Sequence, residues 1–251
     1  MFFQVASGVF AALTAGKLFH TGLYTRYRAF FWYMLFRVFE GAWPSLVDIK
    51  SDLYAYIWGP TELISLILYI LVVLELCRLV LEKHKGLYTL GRWAIYFGMA
   101  ISVALSILSL LPRIKPNMPQ RSKYLGYIIA TDRGVTFCMA IFLILMLFLI
   151  NRYPVRLSRN VILHAALYTV FFLANTLDMI LARVFGLPHY AAIDTGRMIV
   201  SCLCLLSWFL FLSPKGEETE GHIPVFRPEH EERLLYQLNA INTTMLKISR
   251  N

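Results

Sequence analysis

The chain has 251 residues, 58% hydrophobic and 16% charged, with a formal net charge of +9 and a mean hydropathy of +0.60. This is more apolar surface than a water-soluble domain of this size hides, so composition excludes an ordinary soluble domain and asks for lipid as the solvent. The positive charge does not point to nucleic acid, because the lysines and arginines lie in short segments between apolar blocks and not on one basic face; their partner is the anionic surface of a bilayer.

An apolar block of roughly 20 residues matches the hydrocarbon core when it is helical. Unpaired backbone groups cannot face lipid, so the alternatives are helices or closed-barrel strands. Strands would alternate apolar and polar residues, and "VFFLANTLDMILA" and "MAIFLILMLFLI" do not. The predicted fold is therefore all-α, a polytopic membrane bundle of about seven transmembrane helices with a short amphipathic C-terminal helix.

The first block, Phe2–Phe19, lacks a basic stretch ahead of it and a clear small-residue cleavage site, so it reads as a retained helix and not a signal peptide. The second, Ala29–Val47, carries Arg37 and Glu40 and stops near Pro44, which cannot donate a helix hydrogen bond. A turn with Asp48, Lys50 and Asp52 leads to the third block, Tyr56–Leu81, with Pro60 in its first turns. The fourth is Trp93–Leu111, ended by Pro112, Pro116 and Pro119. Leu125–Ile150, Val161–Val184 and Thr195–Leu212 complete the set, and Ser213 and Pro214 close the last. Residues 1–213 thus form the transmembrane domain and 214–251 a cytoplasmic tail.

Within the tail, residues 229–249 predict an amphipathic helix. Leu234, Leu238, Ile241, Met245 and Ile248 recur at the 4-3 spacing of an a/d seam, which suits a cytoplasmic protein partner, a homodimer, or a helix lying on the membrane or the inner loops. The cations orient the bundle. With the amino terminus outside and the carboxyl terminus inside, Lys17, Arg26, Arg28, Arg78, Lys83, Lys85, Arg92, Arg152, Arg156, Arg159 and Lys215 fall on the inner side, as the positive-inside rule requires. Lys50, Arg113, Lys115, Arg121, Lys123, Arg183 and Arg197 fall outside, and the basic loop among them argues the other way.

Ionisable residues inside the spans carry the functional expectation, since a charge in hydrocarbon costs at least about 2.5–3.5 kcal/mol and turns toward the bundle interior. Arg37, Glu40, Glu62, Asp132, Arg133, Asn175, Asp178 and Arg197 are the predicted ligand-pocket residues, with Arg183 and Asp194 at the same level in the outer half. Helical spacing puts Arg37 with Glu40 and Asn175 with Asp178 on common faces. The alternative is that these groups pair among themselves and only hold the helices in register. A second cluster, Glu75, Arg78, Glu82, Lys83, His84 and Lys85, reads as an ionic lock or as an ordinary interfacial helix end with snorkelling side chains.

No catalytic motif is present. His20, His84, His164, His189, His222 and His230 are scattered, and His164 alone falls within a span, so no metal site and no cofactor is expected. The seventh block has no lysine for a retinal Schiff base, and no nucleophile elbow or glycine-rich phosphate loop occurs. Cys77, Cys138, Cys202 and Cys204 all lie in apolar blocks and read as reduced core residues.

Three segments, "EKHKGLYTLGRWA", "RYPVRLSRNV" and "PKGEE", resemble members of a bacterial multi-pass membrane family of no assigned activity. The resemblance implies a bacterial cytoplasmic (inner) membrane. The leading functional expectation is a receptor-like sensor with an outward polar pocket and a cytoplasmic docking helix. The alternatives are a proton- or ion-coupled transporter, in which Glu62, Asp132 and Asp178 bind cargo or coupling ion, and a structural or assembly subunit without ligand.

Overall fold

The structure is a computed structural model. It describes residues 2–45, 47, 51–82, 85–109, 119–152, 157–185, 190–218 and 220–221, together with Tyr236, Ala240 and Thr243. The chain forms α1 (Phe2–His20), α2 (Arg28–Ala42), α3 (Asp52–Val80), α4 (Lys85–Leu108), α5 (Gln120–Arg152), α6 (Arg159–Phe185), α7 (Tyr190–Phe211) and the single turn α8 (Lys215–Glu218). Short 3-10 turns follow α1 and α2, at Leu23–Thr25 and Trp43–Ser45. A two-residue antiparallel pair joins β1 (Leu157–Ser158) to β2 (Glu220–Gly221).

Five helices, α3 to α7, are long and apolar enough to cross a membrane. α1 and α2 are not among them, so the structure shows five such helices where the sequence suggests about seven. At 15 residues, α2 spans about 22 Å, less than the roughly 30 Å hydrocarbon core.

Several boundaries differ from the sequence expectation. α4 starts at Lys85 and not Trp93, α5 at Gln120 and not Leu125, and α7 at Tyr190 and not Thr195. Nothing in "KGLYTLGR" or "QRSKY" breaks a helix, so each runs on past the apolar stretch. α2 instead tightens into a 3-10 turn at Trp43, because Pro44 withholds its N–H. Since α3 starts at Asp52, capped by the Ser51 hydroxyl on the Tyr54 N–H at 3.2 Å, Pro60 lies in its interior. The Thr61 hydroxyl donates to the Ile57 and Trp58 carbonyls beside it, at 3.1 and 2.8 Å.

The helices close into a ring. α1 packs on α2, α2 on α3, α3 on α5, α5 on α6, α6 on α7, and α7 returns to α1, while α4 stands outside against α5 and more lightly against α3. Small residues bring backbones together at two crossings. A Cβ on Gly41 would sit 2.9 Å from the Gly8 Cα between α1 and α2, and one on Gly134 would sit 2.8 Å from the Val103 Cα between α5 and α4. At the end of the ring that carries the tail, Lys17 donates to the Phe209 and Leu210 carbonyls at 2.5 and 3.4 Å. That closes α1 onto the electronegative C-terminus of α7.

The centre of the ring is aromatic. Tyr27, Phe30 and Tyr33 from the start of α2 meet His164, Tyr168 and Phe172 of α6 and Trp208 of α7, all buried. The His164 ring lies 4.5 Å from Phe30 and 4.6 Å from Tyr27, and Tyr168 lies 4.6 Å from Trp208.

Candidate functional site: a charged layer and a tail clamp

At the end of the bundle away from the tail, α2, α3, α5, α6 and α7 each bring an ionisable side chain to one level. Arg37 Nη1 donates to Glu40 Oε2 at 2.8 Å, and the Ser65 hydroxyl donates to Glu40 Oε1 at 2.5 Å. Glu62 faces the like charges of Asp132 and Glu40 and the opposite charges of Arg37 and Arg197. Asp132 Oδ1 accepts from Thr136 at 3.1 Å, and the carboxylate faces Arg197 and Asp178.

Arg197 is the hub of the α6–α7 side. It donates to Asp194 Oδ1 through Nε at 3.1 Å and Nη2 at 2.6 Å, and to Asn175 Oδ1 at 3.4 Å, with Asp178 Oδ2 at 3.7 Å. Asn175 in turn donates to the Phe171 carbonyl at 2.9 Å. Among the described residues, carboxylates therefore outnumber guanidinium groups in this layer: Glu40, Glu62, Asp132, Asp178 and Asp194 share Arg37 and Arg197. Like charges crowded into a medium of low dielectric require compensating positive charge, either a proton or a cationic group. Asp178 Oδ1 and Arg37 Nε, both buried, have no hydrogen-bond partner among the described residues.

Of the predicted pocket residues, Arg37, Glu40, Glu62, Asp132, Asn175, Asp178 and Arg197 come together, joined by Asp194. Arg133 does not. Its neighbour Asp132 turns inward to Thr136, whereas Arg133 Nη2 reaches α4, donating to Ser109 Oγ at 2.7 Å and to the Ser106 carbonyl at 3.3 Å. Adjacent helical residues diverge by about 100°, so one of the pair faces the ring interior and the other its outside. Asp194 had only been placed at the layer's edge in the sequence. The Arg183 side chain and the apolar seam of the tail helix lie outside the described residues. Tyr236, Ala240 and Thr243 are helical and exposed, and their spacing puts them on the stripe opposite that seam.

Below the layer, four buried polar atoms have no protein partner: His164 Nε2, Tyr168 Oη, Ser201 Oγ and Trp208 Nε1. Each belongs to a residue at most 6% exposed. Across the α6–α7 seam, His164 and Tyr168 of α6 pack on Trp208 of α7, with ring centroids 6.1 and 4.6 Å away. An unsatisfied buried group costs about 1–3 kcal/mol, so the seam is a costly element of the core. No local period in the sequence relates Trp208 of α7 to His164 and Tyr168 of α6, and their packing alone brings these polar atoms together.

The opposite end holds a clamp that the sequence did not reveal. Glu217, in α8, accepts from the Tyr27 hydroxyl and, at 2.8 Å, from Asn160 Nδ2, and its other oxygen pairs with Arg26 at 2.9 Å. Asn160, fully buried, also donates to the Ser213 carbonyl at 2.8 Å. Gly216 lies so close to the Asn160 amide that a Cβ would overlap it. Burial and the Glu217 carboxylate hold the Tyr27 phenol well above its ordinary pKa, so it stays a donor. β1 and β2 pair beside it, Leu157 with Gly221 and Ser158 with Glu220. The segments "RYPVRLSRNV" and "PKGEE" thus meet in space through Asn160, Gly216 and Glu217.

Nearby, Glu75 of α3 accepts from the Ala29 and Phe30 N–H groups at 3.0 and 3.1 Å. Tyr27, at the N-cap of α2, makes no side-chain cap, so α3 supplies one to the exposed donors of the first turn. This gives Glu75 a role other than the ionic lock or the interfacial helix end expected from sequence.

Among the described residues, no group of three or more His, Cys, Asp or Glu side chains is placed to hold a metal ion. Cys77, Cys138, Cys202 and Cys204 are free thiols. No protein-family model, no curated protein and no solved structure matches the chain.

Proposed function

We propose that this chain is a receptor-like integral membrane sensor whose charged layer takes up a small cationic group and whose response is read at the tail clamp. The observation that carries this is the surplus of carboxylates across α2, α3, α5, α6 and α7, set at the end opposite the clamp. α2, α6 and α7 reach both ends: they hold Arg37, Asp178 and Arg197 at one, and lead into Tyr27, Asn160 and Ser213 at the other. A cation held by Glu62 and Asp132 competes with Arg37 and Arg197 for the carboxylates of the layer, shifts those helices and loads or frees Glu217. In this reading α1 and α2 also cross the bilayer, since they close the ring between α3 and α7. The amino terminus lies outside, and the tail faces the cytoplasm of a bacterial inner membrane, where its apolar seam meets a protein partner or a second copy.

The test uses the full chain in lipid nanodiscs with a series of primary amines and guanidinium compounds, reading hydrogen exchange across residues 212–221. A responding compound is expected to change protection there in the wild type and not in Glu62→Gln or Asp132→Asn. If no cation alters the tail, the sensor reading fails. Because Lys215–Gly221 belongs to the clamp, partner capture is compared between the full chain and one truncated after Gly221; equal capture would end the docking role of the tail helix.

One observation favours the transporter reading: Glu62, Asp132 and Asp178 lie in one layer, where Asp132 faces Asp178 and Glu62 faces Asp132, so a coupling ion or proton can sit among them. Proton flux in liposomes that Asp132→Asn abolishes would support it.

A further inference from the structure

The groove into which Arg133 turns is separate from the charged layer. It lies between α4, α5 and α6, encloses about 270 Å³, and is lined by Ser106, Phe137, Thr176, Met179, Ile180 and Val184 with Arg133 at one side. Phe137, Ile180 and Val184 are half to mostly exposed on the outer face of the bundle. In a membrane that face meets acyl chains, so an occupant enters from the lipid and not from water. The groove exists because the close contact of Gly134 with Val103 pins α4 to α5, leaving α6 across a gap.

Its chemistry is divided. Arg133 donates to the Ser109 hydroxyl at 2.7 Å, which in turn donates to the Ser106 carbonyl at 2.8 Å; this anchors the guanidinium as a cationic corner near the C-terminus of α4, and the rest of the wall is mainly aliphatic or aromatic. A guanidinium fork matches phosphate geometry, and basic pockets between transmembrane helices suit anionic headgroups. We propose that this groove is a binding site for one anionic phospholipid, its phosphate on Arg133 and its first methylenes on Phe137, Ile180 and Val184. The inference does not depend on the sensor reading: the charged layer plays no part in it.

The experiment is native mass spectrometry of the full chain in mild detergent, titrated with phosphatidylglycerol or phosphatidylcholine of identical acyl chains. One phosphatidylglycerol is expected to be retained at about fivefold lower concentration than phosphatidylcholine, the worth of one cation facing an anionic headgroup. Arg133→Gln removes the charge, and Ile180→Trp fills the groove while leaving Arg133 and the end of α4 untouched. Both are expected to bring phosphatidylglycerol down to the phosphatidylcholine level. Should one variant fail to give a monodisperse protein, the other carries the comparison. Equal retention of the two lipids by the wild type, or a preference that survives the substitution, overturns the proposal. Displacement of the lipid by millimolar inorganic phosphate also overturns it, since the site would then serve a soluble anion.

Discussion

Replacing Glu217 by alanine removes the acceptor on which the tail clamp is built. Its carboxylate accepts from Tyr27 and Asn160, and hydrogen bonds to a charged group are worth about 1.5–3 kcal/mol each. The Arg26 pair adds little, about 0–1 kcal/mol, because the Arg26 side chain is 45% exposed. Conformational freedom regained by the tail offsets part of the loss, leaving a net weakening of about 3–5 kcal/mol. At 1.4 kcal/mol per factor of ten, local opening becomes roughly 10²- to 4 × 10³-fold more frequent. Amide hydrogen exchange in nanodiscs reads this directly: faster exchange is expected at residues 157–158 and 212–221, with α3 and α5 unchanged. Glu217→Gln, which keeps an acceptor for Tyr27, should fall between the two. If protection in Glu217→Ala stays within about threefold of the wild type, the carboxylate does not hold the tail and the argument from its contacts is wrong.

Three further outcomes follow from the packing. Glu75→Ala should cost about 1–2 kcal/mol through loss of the α2 cap, with faster exchange confined to the Ala29 and Phe30 amides; uniform loss of protection would assign Glu75 a different role. Gly134→Val, whose Cβ has no room against Val103, should destabilise by about 1–3 kcal/mol in a denaturant titration. Labelling of Cys138, which faces Gly98 of α4 from α5, should rise as α4 lifts from α5, and unchanged labelling would refute the crossing. Tyr168→Phe removes an orphaned hydroxyl, so it should be neutral or stabilising by about 1 kcal/mol in thermal unfolding; a clear loss of stability would mean that ordered water satisfies the hydroxyl.

Five helices long and apolar enough to cross a membrane, among the described residues, and most of the charged layer are legible in sequence for one reason. Long apolar runs become helices in lipid, and charges within them turn inward, which placed Glu62, Asp132, Asp178 and Arg197 together without any contact being known. Arg133 shows the limit of that rule: it holds for a span and not for each charge on it, and neighbours in sequence point to different surroundings. Helix ends at Lys85 and Gln120 were missed because hydropathy marks where lipid ends, whereas a helix ends where its hydrogen bonding fails. Glu75 on α2, and Glu217 on Asn160, join residues far apart in the chain that no local period relates.

The ring is closed by α1 against α7, and this governs assembly. Synthesis from the amino terminus makes α3 and α5 before α7, so Glu62 and Asp132 exist ahead of the Arg197 guanidinium that both face in the finished ring. Until α7 inserts, these acids depend on protons, water or Arg37 for company, and α1 waits with an open flank. Completion of the circle and the arrival of Arg197 are one event, timed by a single helix that also brings Asp194, so the finished ring keeps its surplus of acids.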